Sequence, residues 1–272
     1  MPVKISCCIV CLNEEENIQD CLESVRWCDE IVVVDSFSQD QTVEICRGYA
    51  QRVIQRKWKG YVDQKSFAVD QATHDWVLYI DADERVTPGL RDEMIAAVHR
   101  WGDSVVGFRI PRLVFYLGQW WRRGGWYPDY CLRFFRKSRA VFAGRDPHEK
   151  VVVDGRTKKL RNHLVHLTYR NVSHHIDKIN RLTEVGAKQS FLEGERWNAI
   201  RAILHPIWRF FKFFVMKGGI FEGRKGFFVA WSAATYVFLK YAKLWELEQN
   251  APDATTSCGE AGSRGENLTH RS

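Results

Sequence analysis

Two carboxylates separated by one residue, Asp81 and Asp83, follow an apolar run that ends at Ile80. After a buried strand, alternate carboxylates can reach one divalent cation that bridges a diphosphate, and hard oxygen ligands of this kind suit Mg²⁺ or Mn²⁺. Acidic residues are also common in the turns after strands, so the tripeptide alone leaves a structural role equally open. The spacing therefore predicts a metal and diphosphate site, and the surrounding elements decide between this role and a structural one.

Polar residues stand at the ends of two further apolar runs. Asn13 follows the run that begins at Val3, and Asp35 ends an Ile-Val-Val-Val run typical of a strand buried on both faces. In a parallel sheet, ligands bind beyond the carboxyl ends of the strands. We therefore expect both residues to lie beside the two carboxylates at one edge of a sheet.

The elements that would carry these residues follow from apolar periodicity. Strands are predicted over residues 3–12, 30–34, 52–56 and 76–80. Helices are predicted from Ile18 to Val25, from a capping box of Ser38 and Gln41 to Ala50, and from Thr87 and Pro88 to Trp101. Because strands and helices alternate, the sequence predicts an α/β fold with a mainly parallel sheet and flanking helices.

The pattern is looser beyond residue 101. Strands are predicted around residues 105–109, 132–135 and 151–153, a helix over 174–198, and two apolar, aromatic and basic stretches over 200–247. These signals divide the chain into a sheet domain over residues 1–170, a helical region over 171–249, and a disordered Ser/Thr/Gly-rich tail over 250–272.

The net charge of +7 is unevenly distributed. The first hundred residues are acidic overall, whereas residues 101–250 are strongly basic and call for an anionic partner such as a phosphate group, a nucleic acid or a membrane surface. With 45% apolar and 27% charged residues, the composition is that of a globular protein and excludes a disordered or fibrous one.

The eight cysteines and the N-terminal residues indicate the cellular compartment in which the protein is expected. Cysteines spread along a chain of this length suit free thiols in a reducing cytosol. Cys8 and Cys11 have the spacing of a redox or zinc pair, but within a strand they point to opposite faces, so we expect packing roles. No secretory signal precedes them, so we expect a cytoplasmic protein.

Three segments occurring in order resemble glycosyltransferase family 2, whose members use nucleotide sugars and have the GT-A fold. They are CIVCLNEEENIQDCLESV, DEIVVVDSFSQDQTVEI and HDWVLYIDADERV. The resemblance implies that Asn13 and Glu14 lie beside the nucleotide and that Asp35 bonds its base. It also implies that Asp81 contacts the diphosphate and, with Asp83, holds the metal as a DxD motif.

A narrower resemblance covers most of residues 60–247 and is to the branch that contains lipopolysaccharide-core glucosyltransferases. It rests on YPDYCLRFFRK, DPHEK, LVHLTYRNVSHHIDKINRLTEVGA and the apolar C-terminal region. It implies metal-dependent transfer of a hexose from a nucleotide sugar, expected to be a UDP-sugar, to a lipid-linked or lipopolysaccharide-core saccharide. The chain departs from the family at the base site, where Ser36, Phe37 and Ser38 replace the usual Gly-Ser.

An inverting transfer needs a carboxylate that takes the proton from the attacking hydroxyl. Glu149 lies where the resemblance places this catalytic base, and Asp146 and Asp129 are the alternatives. A turn with solvated carboxylates is the structural alternative, because Pro and Asp are common turn residues.

Histidine and lysine candidates complete the predicted donor site. The resemblance implies that His166 adds an imidazole to the metal or diphosphate site; a hydrogen-bonded core histidine is the alternative, and His163, His174 and His175 compete for the role. A zinc pair of His163 and His166 is disfavoured because no pair of cysteines stands near it. Lys65 is expected either near the nucleotide or on a solvated helix face.

A loop rich in Trp, Arg and Gly offers a second anion site. Arg122 and Arg123 are followed by two glycines, and they suit a phosphate on the donor or the acceptor. Arg133, Arg136 and Lys137 would extend this patch. A surface loop anchored by its tryptophans is an equally good interpretation.

The C-terminal stretches IWRFFKFFVMKGGIF and GRKGFFVAWSAATYVFLKYAKLWELE are aromatic and basic. The uncharged run between Lys225 and Lys240 is shorter than the ~20 residues of a spanning helix. We therefore expect an interfacial helix or hairpin, peripheral on the anionic inner face of the cytoplasmic membrane. Core helices packed against the sheet are the structural alternative.

Other function classes fit the sequence less well. A nucleic-acid-binding protein would explain the pI near 9.0, but no reader motif is present and acidic strand ends repel phosphate, so no nucleic-acid partner is expected. A membrane-binding protein without catalysis stays an alternative. A sugar nucleotidyltransferase usually begins with a Gly-rich phosphate loop, which CIVCLNEEEN is not.

Overall fold

The computed structural model describes residues 3–146 and 148–250, without the side chains of Arg145 and His148. Its first half alternates strands and helices: β1 (Ile5–Cys11), α1 (Glu15–Ser24), β2 (Glu30–Asp35), α2 (Thr42–Arg47), β3 (Arg52–Gln55), α3 (Tyr61–Asp70), β4 (Trp76–Asp81), β5 (Glu84–Val86) and α4 (Pro88–Trp101). The second half contains β6 (Gly107–Tyr116), β7 (Gln119–Trp121), β8 (Asp129–Arg136), β9 (Ala140–Arg145), β10 (His148–Val153), β11 (Thr157–Lys159), β12 (Leu164–His166), α5 (Val172–Leu192), α6 (Ala199–Phe211) and α7 (Gly223–Gln249).

One mixed sheet organises the first two thirds of the chain. Its strand order is β3-β2-β1-β4-β8-β6-β12-β5, and β7 and β11 also pair with β6. The first four strands are parallel, whereas β8 is antiparallel to both β4 and β6. The predicted α/β class with flanking helices is therefore confirmed, and the parallel part brings the carboxyl ends of β1, β2 and β4 to one edge.

Both faces of β1, β2 and β4 are buried, as the apolar runs predicted. All six residues of β2 are buried, and the two faces of the sheet belong to separate apolar clusters. Cys8 lies in one cluster and Cys11 in the other, so the pair packs as predicted instead of forming a site. The seven cysteines of the described residues are free thiols, and burial raises the pKa of Cys8.

Several element boundaries differ from the predictions. Helix α4 has the predicted cap, because the Thr87 side chain accepts a hydrogen bond from the Leu90 amide at 3.2 Å. The capping box of Ser38 and Gln41 is wrong: α2 begins at Thr42, since the Ser38 hydroxyl bonds Asp35 instead. The strand expected over residues 105–109 is the longer β6. The helix expected over 174–198 is α5, which begins two residues earlier and ends at Leu192, so its predicted C-terminal part is wrong.

The C-terminal region is helical, as predicted. Helix α5 packs against α7, and α6 continues through a π-helical turn, Lys212–Met216, before the chain reverses into α7. We call α6, this turn, the short segment that follows it and α7, together residues 199–249, the C-terminal hairpin. None of the helices within residues 3–146 and 148–250 combines the length and the hydrophobicity that crossing a bilayer requires. The predicted tail from residue 251 onward lies outside the described residues.

Candidate active site

Asp81 ends β4 at the carboxyl edge of the sheet, and both of its carboxylate oxygens have partners. One oxygen accepts a hydrogen bond from the Tyr79 hydroxyl at 2.8 Å and lies 3.2 Å from the Lys65 ammonium. The other bonds the Arg133 guanidinium. Burial favours the protonated acid, but Arg133 and Lys65 hold the pKa of Asp81 well below its usual range. The carboxylate is therefore ionised and fixed in position.

Lys65 connects this carboxylate to the predicted base. It projects from α3, is only 5% exposed, and bonds Glu149 of β10 as well as Asp81. Burial lowers the pKa of an ammonium, yet the two carboxylates raise the pKa of Lys65 above its usual value. The solvated helix face considered for Lys65 is therefore excluded, and Asp81 and Glu149 share one buried cation.

Two buried residues that the sequence did not single out for this role support Asp81. The Glu84 side chain, fully buried in β5, accepts a hydrogen bond from the Asp81 amide at 2.9 Å. The Arg133 guanidinium donates to Glu84 at 2.9 Å and also bonds Asp81. A buried network of hydrogen bonds and ion pairs holds its members in place. Removing one member would leave a buried charge without compensation. Glu84 and Arg133 therefore position the first carboxylate of the DxD motif.

Arg133, Arg136 and Lys137 do not extend the arginine loop, contrary to the prediction. Arg133 is 7% exposed and faces the carboxylates beneath the site. Arg136 bonds the Asp75 side chain at 3.0 Å, and Lys137 donates to the Ala72 carbonyl at 2.6 Å. Strand alternation points Arg136 to the opposite face from Arg133, and Lys137 lies beyond the end of β8.

Asp83, the second carboxylate, faces two nitrogens from later parts of the chain. His166 of β12 places Nε2 3.3 Å from Oδ2, and Lys178 of α5 places Nζ 3.4 Å from the same oxygen. Burial raises the pKa of the acid, but His166 and Lys178 more than offset it, so the pKa of Asp83 lies below its usual range. The sequence predicted His166 here and did not predict Lys178.

The competing histidines have other partners. His163 Nε2 lies 2.7 Å from the Tyr127 hydroxyl, and His175 Nδ1 lies 3.1 Å from the Tyr116 hydroxyl. His174 accepts a hydrogen bond from the Arg170 amide at 3.3 Å. His163 and His166 thus do not converge on one site, which removes the basis for a zinc pair.

The donor set of Asp83 and His166 fits a divalent cation that the protein shares with a ligand. Carboxylate and imidazole together suit Mn²⁺ and, less strongly, Mg²⁺. Among the described residues, no group of three or more His, Cys, Asp or Glu could enclose a metal ion. The remaining ligands would have to come from water and from the oxygens of a diphosphate. Asp81 faces Lys65 and Arg133 here, so its role as a metal ligand stays a prediction.

The predicted nucleoside residues converge at the neighbouring ends of β1 and β2. Asp35 is fully buried and accepts hydrogen bonds from the Ser38 amide at 2.9 Å and the Gln55 side chain at 3.2 Å. The Asn13 amide donates to the Ser38 hydroxyl at 2.8 Å, which ties the two strand ends together. Glu14 lies beside them; burial is the main cause that raises its pKa.

The two alternative bases have structural partners. The Asp146 carboxylate accepts from the amides of Tyr61, at 3.0 Å, and Val62, at 3.3 Å, and so caps the N-terminus of α3. Gly60 lets it approach, because a Cβ there would meet an Asp146 oxygen at 2.4 Å and φ is +133°. Asp129 is paired with Arg112, with a 2.9 Å hydrogen bond from Nε. Glu149, by contrast, faces the DxD carboxylates through Lys65.

Arg122 and Arg123 are exposed and lie in the loop after β7. Trp121 and His166 pair with Val114 on opposite edges of β6, which puts their backbones roughly 10 Å apart. Trp121 is fully buried and donates to the Tyr116 carbonyl at 2.9 Å, so the loop is anchored by a tryptophan while its arginines stay accessible. The interpretation as a loop anchored by its tryptophans is therefore confirmed for Trp121, and the anion site at Arg122 and Arg123 stays a prediction.

Residues 6–164 match the family model described as "Glycosyl transferase family 2". The chain is 32% identical to the lipopolysaccharide core biosynthesis glycosyltransferase LpsC of Rhizobium meliloti, over 89% of this chain and 92% of that protein. It is 33% identical to an uncharacterized glycosyltransferase of Rickettsia typhi, over 93% of this chain and 91% of that protein. Both alignments extend beyond the sheet into the C-terminal hairpin.

The fold is also found in solved structures. The mannosyltransferase PcManGT from Pyrobaculum calidifontis, solved in complex with GDP-Man and Mn²⁺, superposes with a TM-score of 0.55 at 15% identity. The superposition covers 90% of this chain and 87% of that one. At this level of identity the comparison shows a common fold.

Proposed function

Since this chain is a member of glycosyl transferase family 2 and a glycosyltransferase, we propose that it transfers a hexose from a nucleotide sugar to a lipid-linked or lipopolysaccharide-core saccharide, inverting the anomeric carbon. The observation that carries the proposal is the convergence of Asp81, Asp83 and Glu149 with Lys65 and His166 at the carboxyl edge of the sheet. A UDP-sugar is the expected donor, and a GDP-sugar is the alternative.

Different residues of the chain would contact the nucleoside and the diphosphate of the donor. Asp35, Asn13 and Glu14 would face the nucleoside at the ends of β1 and β2, as the family resemblance implies. Asp83 and His166 would hold a divalent cation, which supplies charge neutralisation for the departing diphosphate. The Lys178 ammonium lies at the same carboxylate and is also held by the Thr168 hydroxyl at 3.3 Å, so it would add a second positive charge there.

Glu149 would act as the base of a single displacement. Its side chain forms an ion pair with the buried Lys65 ammonium, and a carboxylate held in this way can accept a proton from the acceptor. The acceptor hydroxyl oxygen forms the new bond to the anomeric carbon, and its proton moves to the Glu149 carboxylate. The bond from that carbon to the phosphate oxygen breaks, and the nucleoside diphosphate leaves with the bonding electrons. Because no covalent enzyme intermediate forms, the configuration inverts.

A membrane-bound acceptor would explain the surface of the C-terminal hairpin. We call the following exposed side chains, which recur at helical spacing, the apolar face: Ile200, Ile203, Leu204, Ile207, Trp208, Phe211, Val215, Met216, Ile220 and Phe221. Basic residues accompany it, namely Arg209, Lys212, Lys217, Arg224 and Lys225. Apolar side chains flanked by Lys and Arg favour an interfacial position on an anionic bilayer. The proposed place of action is the inner face of the cytoplasmic membrane.

The arginine loop would meet the acceptor where the sheet and the hairpin join. The Gly124 amide donates to the Lys217 carbonyl at 2.8 Å, and the Arg123 guanidinium lies 5.4 Å from the Phe221 ring centre. The loop therefore touches the hairpin at its turn while it begins beside the sheet. Arg122 and Arg123 are suited to an anionic group on an acceptor that reaches the site from the membrane.

A transfer assay tests the proposal. Purified protein is incubated with UDP- and GDP-hexoses and with a truncated lipopolysaccharide or lipid-linked saccharide, and the product is analysed by mass spectrometry and NMR. We expect one new glycosidic bond of inverted configuration, and no product with Asp83→Asn. Retained configuration, or equal transfer by the variant, would contradict the proposed mechanism.

A further inference from the structure

Phe37 adopts a backbone conformation that L-residues with large side chains rarely hold. Its φ is +65°, in the left-handed region. That conformation costs a residue with a Cβ about 1–2 kcal/mol, whereas glycine adopts it freely. Asn13, which has a φ of +54°, belongs to a residue type that tolerates it. Phe37 is therefore strained in a way that its neighbour at the end of β1 is not.

Burial of the ring does not compensate for this strain. The Phe37 side chain is 50% exposed, so much of its apolar surface stays in water. A polar residue or a glycine would suit an exposed left-handed position better on stability alone. Strained residues that persist without a packing benefit cluster at functional sites, where the conformation aims a side chain.

The surrounding hydrogen bonds keep the segment in this conformation. The Ser38 amide and hydroxyl both bond the Asp35 carboxylate, and the Asn13 amide bonds the Ser38 hydroxyl. The Gln39 amide donates to the Asn13 side chain at 2.8 Å, and the Gln39 side chain donates to the Phe37 carbonyl at 3.0 Å. The ring is thus presented from a fixed backbone, two residues from the carboxylate assigned to the nucleoside.

We propose that the Phe37 ring is the surface on which the nucleobase of the donor stacks. The inference rests on the proposed function, because it takes the ends of β1 and β2 as the nucleoside site. The half-exposed ring offers a flat apolar surface to the face of a base, two residues along the chain from Asp35, the carboxylate that the family resemblance assigns to the base. Stacking is worth about 1–3 kcal/mol per base and accepts any base. Phe37 therefore contributes affinity, while Asp35 contributes to the choice of base.

The variant Phe37→Gly separates this role from a structural one, because it removes the ring and relieves the strain together. The experiment measures melting temperature and calorimetric affinity for UDP, GDP and inorganic pyrophosphate, each with Mn²⁺. We expect affinity for UDP and GDP to fall about five-fold or more, unchanged affinity for pyrophosphate, and no loss of melting temperature. Phe37→Trp should retain nucleotide affinity. Leu117→Gly is the matched control: its φ is +53°, it lies in the turn before β7, and UDP affinity should not change.

Each other outcome overturns the inference. Unchanged UDP affinity in Phe37→Gly would show that the base does not contact the ring. An equal loss for UDP and pyrophosphate would show that the segment only shapes the site, and a lower melting temperature would show that the ring stabilises the fold. If the wild-type protein binds neither UDP nor GDP, the proposed function fails first, and that result is distinct from these three.

Discussion

The carboxyl edge of the sheet carries the residues proposed for catalysis, and we call it the catalytic edge. It departs from an ordinary protein surface in the opposite way to the C-terminal hairpin. At the edge, charged side chains such as Glu84 and Arg133 are buried, and the two DxD carboxylates, Glu84 and Glu149 each have a cationic or imidazole partner within the chain. On the hairpin, large apolar side chains are exposed; Ile207 is 61% and Phe221 75% exposed. The buried charges of the edge are therefore compensated within the chain, whereas the exposed apolar side chains of the hairpin have no such compensation in this structure.

This difference has energetic consequences. Breaking a buried ion pair costs about 3–5 kcal/mol because the remaining charge is uncompensated. Removing an exposed apolar side chain costs the fold little, but it forfeits about 1.5–3 kcal/mol of any burial in a membrane. Substitutions at the edge should therefore change catalysis or stability. Substitutions on the apolar face should change only the affinity of the protein for a membrane.

The largest effect is expected from Glu149→Gln, which leaves a side chain of the same shape but removes the proton acceptor. We expect kcat to fall by about 10²–10⁴-fold. Because Lys65 keeps its ion pair with Asp81, we expect a smaller loss of stability than for a buried charge left without any partner. Asp146→Asn is the matched control, because Asp146 caps α3. Asn and Asp cap helices about equally well, so it should change stability by less than about 1 kcal/mol and lower kcat by less than ten-fold. The reverse ranking in steady-state kinetics would move the base to Asp146.

A smaller loss is expected from Lys178→Met, which removes a positive charge near the departing diphosphate. A hydrogen bond to a charged group is worth about 1.5–3 kcal/mol, so kcat should fall about 10- to 150-fold. UDP should bind more weakly while uridine monophosphate binding stays unchanged. Lys188→Met, on the same helix but bonded to exposed Glu184, is the control without effect. Equal losses for both nucleotides would contradict a contact to the second phosphate.

The hairpin is tested by Trp208→Glu, which places a charge on the apolar face. Affinity for vesicles containing phosphatidylglycerol should fall about 30-fold in a sedimentation assay, because about 2 kcal/mol of apolar burial is lost. The rate with a water-soluble acceptor should not change. Val141→Glu is the control, since Val141 is 63% exposed but lies on β9. If both variants bind vesicles like the wild type, the apolar face does not contact a bilayer.

The smallest effect concerns a buried charge far from the catalytic edge. Glu30, at the start of β2, is buried, which would raise its pKa, but hydrogen bonds from Ser6, Thr73 and Arg52 lower the pKa from 4.5 to about 2. A lowered folded-state pKa adds stability above pH 4.5, and this stability is lost as the pH falls toward 2. Urea unfolding should show a loss of about 2 kcal/mol across that window. Glu30→Gln should reduce the dependence of the unfolding free energy on pH, and activity at neutral pH should be retained. An unchanged pH dependence would contradict the attribution of this stability to Glu30.

The strand-end residues could be predicted from the sequence because they need only local information. Asp35, Asp81 and Asp83 follow apolar runs, and parallel strands bring such ends together without further knowledge of the fold. The family resemblance supplied Glu149 and His166, and both lie at that edge. Their chemical roles stay predictions until they are measured.

The partners of these residues could not be predicted, because they come from distant parts of the chain. Lys178 is 95 residues from Asp83, and Arg133 is 49 residues from Glu84. Arg133 lies on β8 and Lys178 on α5, and the mixed directions of β6, β8 and β12 give a weak sequence signal for how these elements pack. Ser38 shows the same limitation locally: its spacing to Gln41 fits a capping box, but the buried Asp35 carboxylate competes for its hydroxyl.

The most direct test of the central claim is titration calorimetry of wild-type and Asp83→Asn protein with a panel of UDP- and GDP-hexoses, with and without Mn²⁺. The geometry predicts that one donor binds the wild type in a Mn²⁺-dependent manner and that the variant, still folded, loses about a hundred-fold or more of this affinity. Binding of no donor by the folded wild type, or equal Mn²⁺-dependent binding by the variant, would contradict a metal-assisted nucleotide-sugar site at the edge of this sheet.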